Sequence, residues 1–141
     1  MKKFLTMVLV LGGVCGGLWM SKAWTLKHQD EKVAKFNSDA DNLILGIQQY
    51  REFVGSYPAG NNAAIAKALL GRTDKKVLIL AVRKTDMNDK GEILDPWGTP
   101  LQFYFSNNEV LIRSAGPNRV WEDSAITASD DLYRTAPIDK K

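Results

Sequence analysis

The sequence predicts an α+β fold, in which a long N-terminal helix packs on a small antiparallel β-sheet and an irregular C-terminal loop follows. Three observations predict it. Apolar residues recur at helical spacing from Val33 to Val54, short alternating runs lie between residues 101 and 114, and the chain after Gly116 is irregular, polar and acidic until Leu132. With 45% hydrophobic and 25% charged residues, the chain has the composition of a globular domain. Helices and strands in separate runs are typical of the α+β class.

The long helix is predicted to continue from an apolar N-terminal segment as far as Gly55. No proline precedes Pro58, and a glycine suits the C-terminal end of a helix. Because the apolar stripe begins only at Val33, the charged stretch before it is expected to be a solvated stem. The predicted organisation is an anchor or signal segment at 1–23, the long helix at 24–55, and a globular part at 56–141 that forms one domain with the helix.

The first residues indicate export from the cytoplasm. Lys2 and Lys3 precede an apolar run from Phe4 to Met20, which is close to the lower limit of about 17 residues for a membrane-spanning helix. The lysine pair would stay in the cytoplasm, which predicts a single-pass inner-membrane protein with its domain in the periplasm. Two alternatives are open. Signal peptidase could cut after Ala23 and give a periplasmic or secreted domain, or Cys15 could carry a lipid.

Shorter elements follow the long helix. Asn61 or Asn62 is expected to cap a helix at Ala63–Leu70, which Gly71 ends. The apolar run Val77–Val82 predicts a buried strand, with a helical extension as the alternative. A hairpin completes the sheet, with strands at Leu101–Phe105 and Glu109–Ser114 joined by a turn at 106–108.

The inventory of reactive side chains argues against catalysis. The chain has one cysteine, Cys15, and one histidine, His28, too few for a zinc site or a histidine-based triad. Acidic pairs lie in polar loops with no nucleophile beside them, at Asp86/Asp89 and Asp130/Asp131. We therefore expect a protein that is not an enzyme. The net charge of +3, with dispersed lysines and arginines, predicts no nucleic-acid partner.

One turn has a clear physical specification. Pro96 fixes its own backbone and favours an extended Asp95, while Gly98 can take a positive φ angle. Trp97 can then fold back onto the helix and sheet as a large anchor. We expect a structural turn formed by Asp95, Pro96, Trp97 and Gly98.

The turn is part of a longer pattern. The segment Asp95–Pro100, the hairpin, and then Ser114–Asn118 resemble the major pseudopilin of type II secretion systems, a type IV pilin-like family. Tyr57–Pro58 and the acidic end Ser129–Leu132 match the family as well, so that the resemblance covers about residues 30 to 134. It implies a pilin-like fold and a structural role in a type II secretion or pilus-like assembly, tethered to the membrane through residues 4–20. The implied partners are other pseudopilins, secretion-machinery subunits or further copies of the chain.

The resemblance also implies calcium, which the family binds in its C-terminal loop. Calcium takes about six to eight oxygen ligands. Glu122 and Asp123 lie on this loop, and Asn118 stands where the family has aspartate. The alternative is an acidic loop held by hydrogen bonds and by Arg119 or Arg134. The implied ligands are the carbonyl of Ala115, the side chain of Asn118 and the carboxylates of Asp130 and Asp131.

The N-terminus departs from the family. Prepilins are cut after a glycine that precedes Phe-Thr-Leu-Ile-Glu, whereas here Lys3 precedes Phe4 and Val8 stands in place of the glutamate. This departure favours a tethered protein derived from the pseudopilins over an ordinary fibre subunit. The alternative function is a stand-alone binding module, released into the periplasm by signal peptidase after Ala23.

Overall fold

The computed structural model describes residues 2–76, 78–79, 84–106, 109–123 and 129–137, the side chains of residues 2–23 and of Lys84 excepted. The chain forms one long helix, one short helix and a small antiparallel sheet, which confirms the predicted α+β class. The elements are α1 (Lys2–Val54), α2 (Asn62–Leu69), a 3-10 turn (Lys84–Asp86), β1 (Gln102–Phe105), β2 (Glu109–Ser114) and β3 (Leu132–Pro137).

Helix α1 buries one face from Phe36 onward. It ends at Val54, because Gly55 takes a φ angle of +83° and donates its N–H to the carbonyl of Arg51 at 2.8 Å. The chain divides into two compact units, Met1–Val33 and Ala34–Lys141, and the division falls where the apolar stripe begins. The buried apolar residues of the helix are separated by one, three or four positions, which places them on one face: Phe36, Ala40, Leu43, Ile44, Ile47 and Tyr50.

The stem in the first unit is exposed. Trp24 stacks on His28, with 5.2 Å between the ring centroids, and both Trp24 and Leu26 face solvent. Where side chains are described, no helix is both long enough and apolar enough to cross a membrane. The predicted membrane segment from Phe4 to Met20 lies outside those side chains, as does Cys15.

The sheet has three strands in the order β1-β2-β3, with both pairs antiparallel. The central strand β2 buries Val110, Ile112 and Ser114 completely. The described residues between Gly116 and Leu132 form no helix or strand, as expected, but the strand that follows them, β3 at Leu132–Pro137, was not predicted from the sequence. This edge strand leaves most of its side chains exposed and shows no alternation of buried and exposed residues, so the sequence pattern could not reveal it.

Helix α2 joins the core to the loops. Asn61 is its cap and accepts the N–H of Ala64 at 3.0 Å. Asn61 is one of the two residues predicted for this role. The Asn62 amide donates to the carbonyls of Ile93 and Leu101, at 2.9 and 2.7 Å. Of the predicted strand at 77–82, the structure describes only Leu78 and Ile79. Leu78 makes an isolated bridge to Leu70, and its side chain is exposed.

Polar contacts connect α1 to the edge of the sheet. Arg134 on β3 donates from Nε to Asp41 Oδ1 at 2.6 Å and from Nη2 to Oδ2 at 2.8 Å. Gln48 donates to the carbonyl of Pro137 at 3.4 Å. The paired geometry of the Arg134 contact orients β3 against the helix, although its exposure to solvent limits its effect on stability.

Candidate functional site

The Asp95 carboxylate organises the predicted structural turn. Its Oδ1 accepts the backbone N–H groups of Trp97 and Thr99, at 2.9 and 2.8 Å. Gly98 takes a φ angle of +89°, which a residue with a Cβ rarely adopts. Trp97 is thereby directed into the core, where only 4% of its surface is exposed. The turn is a buried hydrogen-bonded unit and not a surface loop.

The same carboxylate connects the turn to the start of the C-terminal loop. The Ser114 hydroxyl donates to Asp95 Oδ2 at 2.6 Å, and the Ser114 oxygen accepts the N–H of Gly116 at 3.1 Å. Gly116 has a φ angle of +65°, and a Cβ there would lie 2.2 Å from the carbonyl oxygen of Asp130. Only glycine permits this approach, which brings the two ends of the loop together.

Three carboxylates meet in the loop, those of Glu122, Asp130 and Asp131, with oxygens within 4.8 Å of one another. Glu122 Oε2 accepts the N–H of Asp130 at 3.0 Å, and Asp130 Oδ2 accepts the N–H of Asn118 at 3.1 Å. The Asn118 amide donates to Glu122 Oε1 at 3.1 Å. The side chain of Asp131 is wholly inaccessible to solvent.

A cation from the sheet reaches into this cluster. Arg113 on β2 donates from Nε to Asp131 Oδ2 at 2.8 Å, and its Nη2 lies 2.5 Å from the same oxygen. Its Nη1 donates to Asp123 Oδ1 at 2.8 Å, and its Nη2 also donates to the carbonyl of Glu122 at 2.9 Å. The guanidinium carbon lies 5.1 Å from the ring centroid of Trp121 and 5.5 Å from that of Tyr133, a cation–π arrangement.

The guanidinium of Arg113 stays protonated. Its bonds to the carboxylates of Asp123 and then Asp131 raise the pKa of the guanidinium above its ordinary value, against the opposing effect of burial. Asp123 is exposed, so solvent screens its share of the attraction. The bond to the buried Asp131 is therefore the stronger of the two ion pairs that Arg113 makes.

Two carboxylate oxygens of the cluster have no hydrogen-bond partner although they are buried, Oδ1 of Asp130 and Oδ1 of Asp131. A buried acceptor without a partner is costly, and a bound cation would remove that cost. The cluster offers oxygen ligands alone, which is the preference of calcium. Arg113 supplies one positive charge, whereas the cluster and Asp123 together supply four carboxylates, so the residues present fit a divalent ion.

The structure brings most of the predicted ligand residues together. Asn118, Asp130 and Asp131 share the cluster, while Ala115 is fully buried at the start of the loop. Glu122, which was only placed on the loop by sequence, is the third carboxylate of the cluster. The predicted alternative named the wrong arginines. Arg134 bonds to Asp41 on α1, and Arg119 forms no ion pair with any described residue, whereas Arg113 holds the loop.

Arg113 lies within strand β2, so the sequence pattern does not indicate that it contacts the loop. The available signal was a lone arginine in an apolar run, two residues before the glycine-containing loop segment that begins at Ala115. No protein family model, curated protein or solved structure matches the chain. The turn at Asp95, the carboxylate cluster and the Arg113 network are therefore the basis on which its function rests.

Proposed function

We propose that this chain is a structural, membrane-tethered, pseudopilin-like component of a type II secretion or pilus-like assembly. The observation that carries the proposal is the connection of two motifs by one hydrogen-bond chain. Asp95 of the turn binds Ser114, and Ser114 in turn binds Gly116 of the loop. These are the segments in which the sequence resembles the pseudopilins, and their contact gives the resemblance a structural reason.

The architecture supports the same role. The stem of helix α1 is exposed where its side chains are described, and the helix has a buried face from Phe36 onward, as expected for a solvated stem that leads into a domain. The described parts of the loop are attached to the sheet through the turn and through Arg113. The anchor itself rests on the sequence of residues 4–20, which predicts an inner-membrane segment with the domain in the periplasm.

We infer in addition that the loop takes calcium. Glu122, Asp130 and Asp131 would hold the ion, and their two unpartnered oxygens are the supporting observation. The ion would supply positive charge to a segment with few apolar side chains. Its role is then to stabilise the loop in the folded state, in the way that any ligand of the folded state does.

A pull-down from membranes tests the structural role. The full-length chain is extracted in mild detergent, its size is measured, and co-purified proteins are identified. The expected result is an oligomer or a complex with pseudopilin or secretion-machinery subunits. A monomer without any such subunit would contradict the proposal. N-terminal sequencing in the same experiment shows whether the chain keeps residues 1–23 or begins at Trp24.

A stand-alone binding module is the second candidate, and one observation favours it. An open groove of about 450 Å³ lies between the start of α2 and β1, lined in part by Asn62, Gln102, Tyr104 and Trp121. A mature N-terminus at Trp24, together with a monomeric protein in the periplasm, would support this candidate over the assembly subunit.

A further inference from the structure

We propose that Arg113 is a permanent cation of the C-terminal loop: it neutralises Asp131 through the Oδ2 oxygen without a metal, and its charge weakens the binding of a divalent ion at the unpartnered oxygens of Asp130 and Asp131. This inference rests on the calcium site proposed above. It identifies Arg113 as the residue that determines how strongly the ion binds and how much it stabilises the loop.

The carboxylate oxygens that already have hydrogen-bond partners differ from those that remain for an ion. Both Nε and Nη2 of Arg113 approach the same oxygen of Asp131, Oδ2, and leave Oδ1 without a partner. Asp130 likewise has Oδ2 bonded to the N–H of Asn118 and Oδ1 unpartnered. The guanidinium therefore satisfies one side of the cluster, while the unpartnered oxygens mark the side that is left for an ion.

Arg113 is held in place independently of any metal. Only 10% of its side chain is exposed, its guanidinium lies near the rings of Trp121 and Tyr133, and it also bonds to the Glu122 carbonyl. An arginine fixed in this way cannot leave when an ion arrives. Its positive charge is a permanent part of the site.

The position of Asp131 does not depend on Arg113 alone. Its N–H donates to the Ser129 hydroxyl at 3.2 Å, and the next residue, Leu132, pairs with Ser114 in the sheet. Removal of the guanidinium therefore leaves the carboxylate close to its position but without its cation. A divalent ion about 5 Å from a guanidinium is repelled, even at the dielectric constant of water, by enough to weaken its affinity about tenfold.

Arg113→Gln in the full-length chain tests the proposal, because it removes the charge and keeps a polar side chain. Thermal unfolding is measured in mild detergent with millimolar calcium and with chelator. We expect calcium to raise the Tm of the variant by at least about 5 °C more than it raises that of the wild type, the shift for a tenfold tighter site in a domain of this size. Arg134→Gln, on the neighbouring strand, is the matched control and should respond to calcium as the wild type does.

Terbium provides a second readout, since Trp121 near the cluster can sensitise its emission. Terbium titration should give at least about tenfold tighter binding for Arg113→Gln than for the wild type. Arg113→Lys keeps the charge with fewer donors and should bind terbium close to the wild-type affinity. Equal or weaker binding by Arg113→Gln, or a variant that calcium cannot return to the folded state, overturns the proposal.

The outcomes separate this inference from the proposals on which it rests. Terbium binding by the wild type tests the ion site, and its absence from wild type and variant alike removes both the site and this inference. The difference between the variants tests the role of Arg113. Neither measurement depends on whether the chain joins a secretion assembly, which the pull-down decides separately.

Discussion

Replacement of Asp95 by alanine removes the acceptor on which the turn and the loop both depend. Three donors lose their partner: the N–H groups of Trp97 and Thr99 and the hydroxyl of Ser114. Asp95 and Ser114 are buried, so water cannot freely replace the lost bonds. Each buried donor left without a partner costs about 1–3 kcal/mol.

The expected loss of stability is about 3–5 kcal/mol, because the N–H of Trp97 and the Ser114 hydroxyl are buried, whereas Thr99 is partly accessible. In a domain of this size that loss lowers the Tm by about 12–20 °C. Asp95→Asn keeps one oxygen for the two N–H groups and disturbs only the contact with Ser114. It should therefore lose about half as much.

Thermal unfolding of the full-length chain in detergent measures both variants. Asp89→Ala is the matched control, since Asp89 is an exposed loop aspartate whose removal should change stability by less than about 0.5 kcal/mol. If Asp95→Ala loses no more than Asp89→Ala, the turn is not held by its carboxylate. If Asp95→Asn loses as much stability as Asp95→Ala, the negative charge of Asp95 stabilises the turn and the number of its acceptor oxygens does not.

Two further predictions concern the loop and the contact between helix and sheet. Gly116→Ala should cost at least about 2 kcal/mol in thermal unfolding, because its Cβ would lie 2.2 Å from a carbonyl oxygen at a φ angle of +65°; a stability within error of the wild type would refute the close approach. Arg134 lowers the pKa of Asp41 below its ordinary value of 3.8, so this pair contributes stability above that value and loses it as the pH falls through the folded-state pKa. Asp41→Asn should therefore lower the Tm at neutral pH and have progressively less effect in acid, and a difference that does not change with pH would count against the pair.

The sequence predicted the elements whose residues alternate or recur with a clear period. Helix α1 and strand β2 are such elements, because their buried side chains repeat at helical or strand spacing, and β1 is predicted from its alternating sequence. Strand β3 has no such pattern, since it lies at the edge of the sheet and exposes Tyr133, Arg134 and Thr135 in succession. Its place is determined by pairing with β2, a long-range contact that local sequence does not record.

The residues of the candidate site also differ in whether the sequence predicts them. The carboxylates at Asp130 and Asp131 could be found from sequence because acidic residues cluster along the loop. The cation that accompanies them could not, because Arg119 and Arg134 lie closer to these acidic residues along the chain than Arg113 does. Arg113 faces the loop only because β2 and β3 are neighbours in the sheet. Charge pairing of this kind depends on the topology of the fold and not on distance along the chain.

Site-specific cross-linking in cells tests the proposed role in a secretion assembly most directly. Leu45 and Phe53 are large apolar residues that α1 leaves exposed, and a photo-reactive residue at either position would report what contacts the helix. Asp89, exposed on a loop, provides the control position. We expect the helix to form adducts with pseudopilin or secretion-machinery subunits, in a membrane-bound chain that retains residues 1–23. A chain that begins at Trp24 and forms no such adduct would contradict the proposed role.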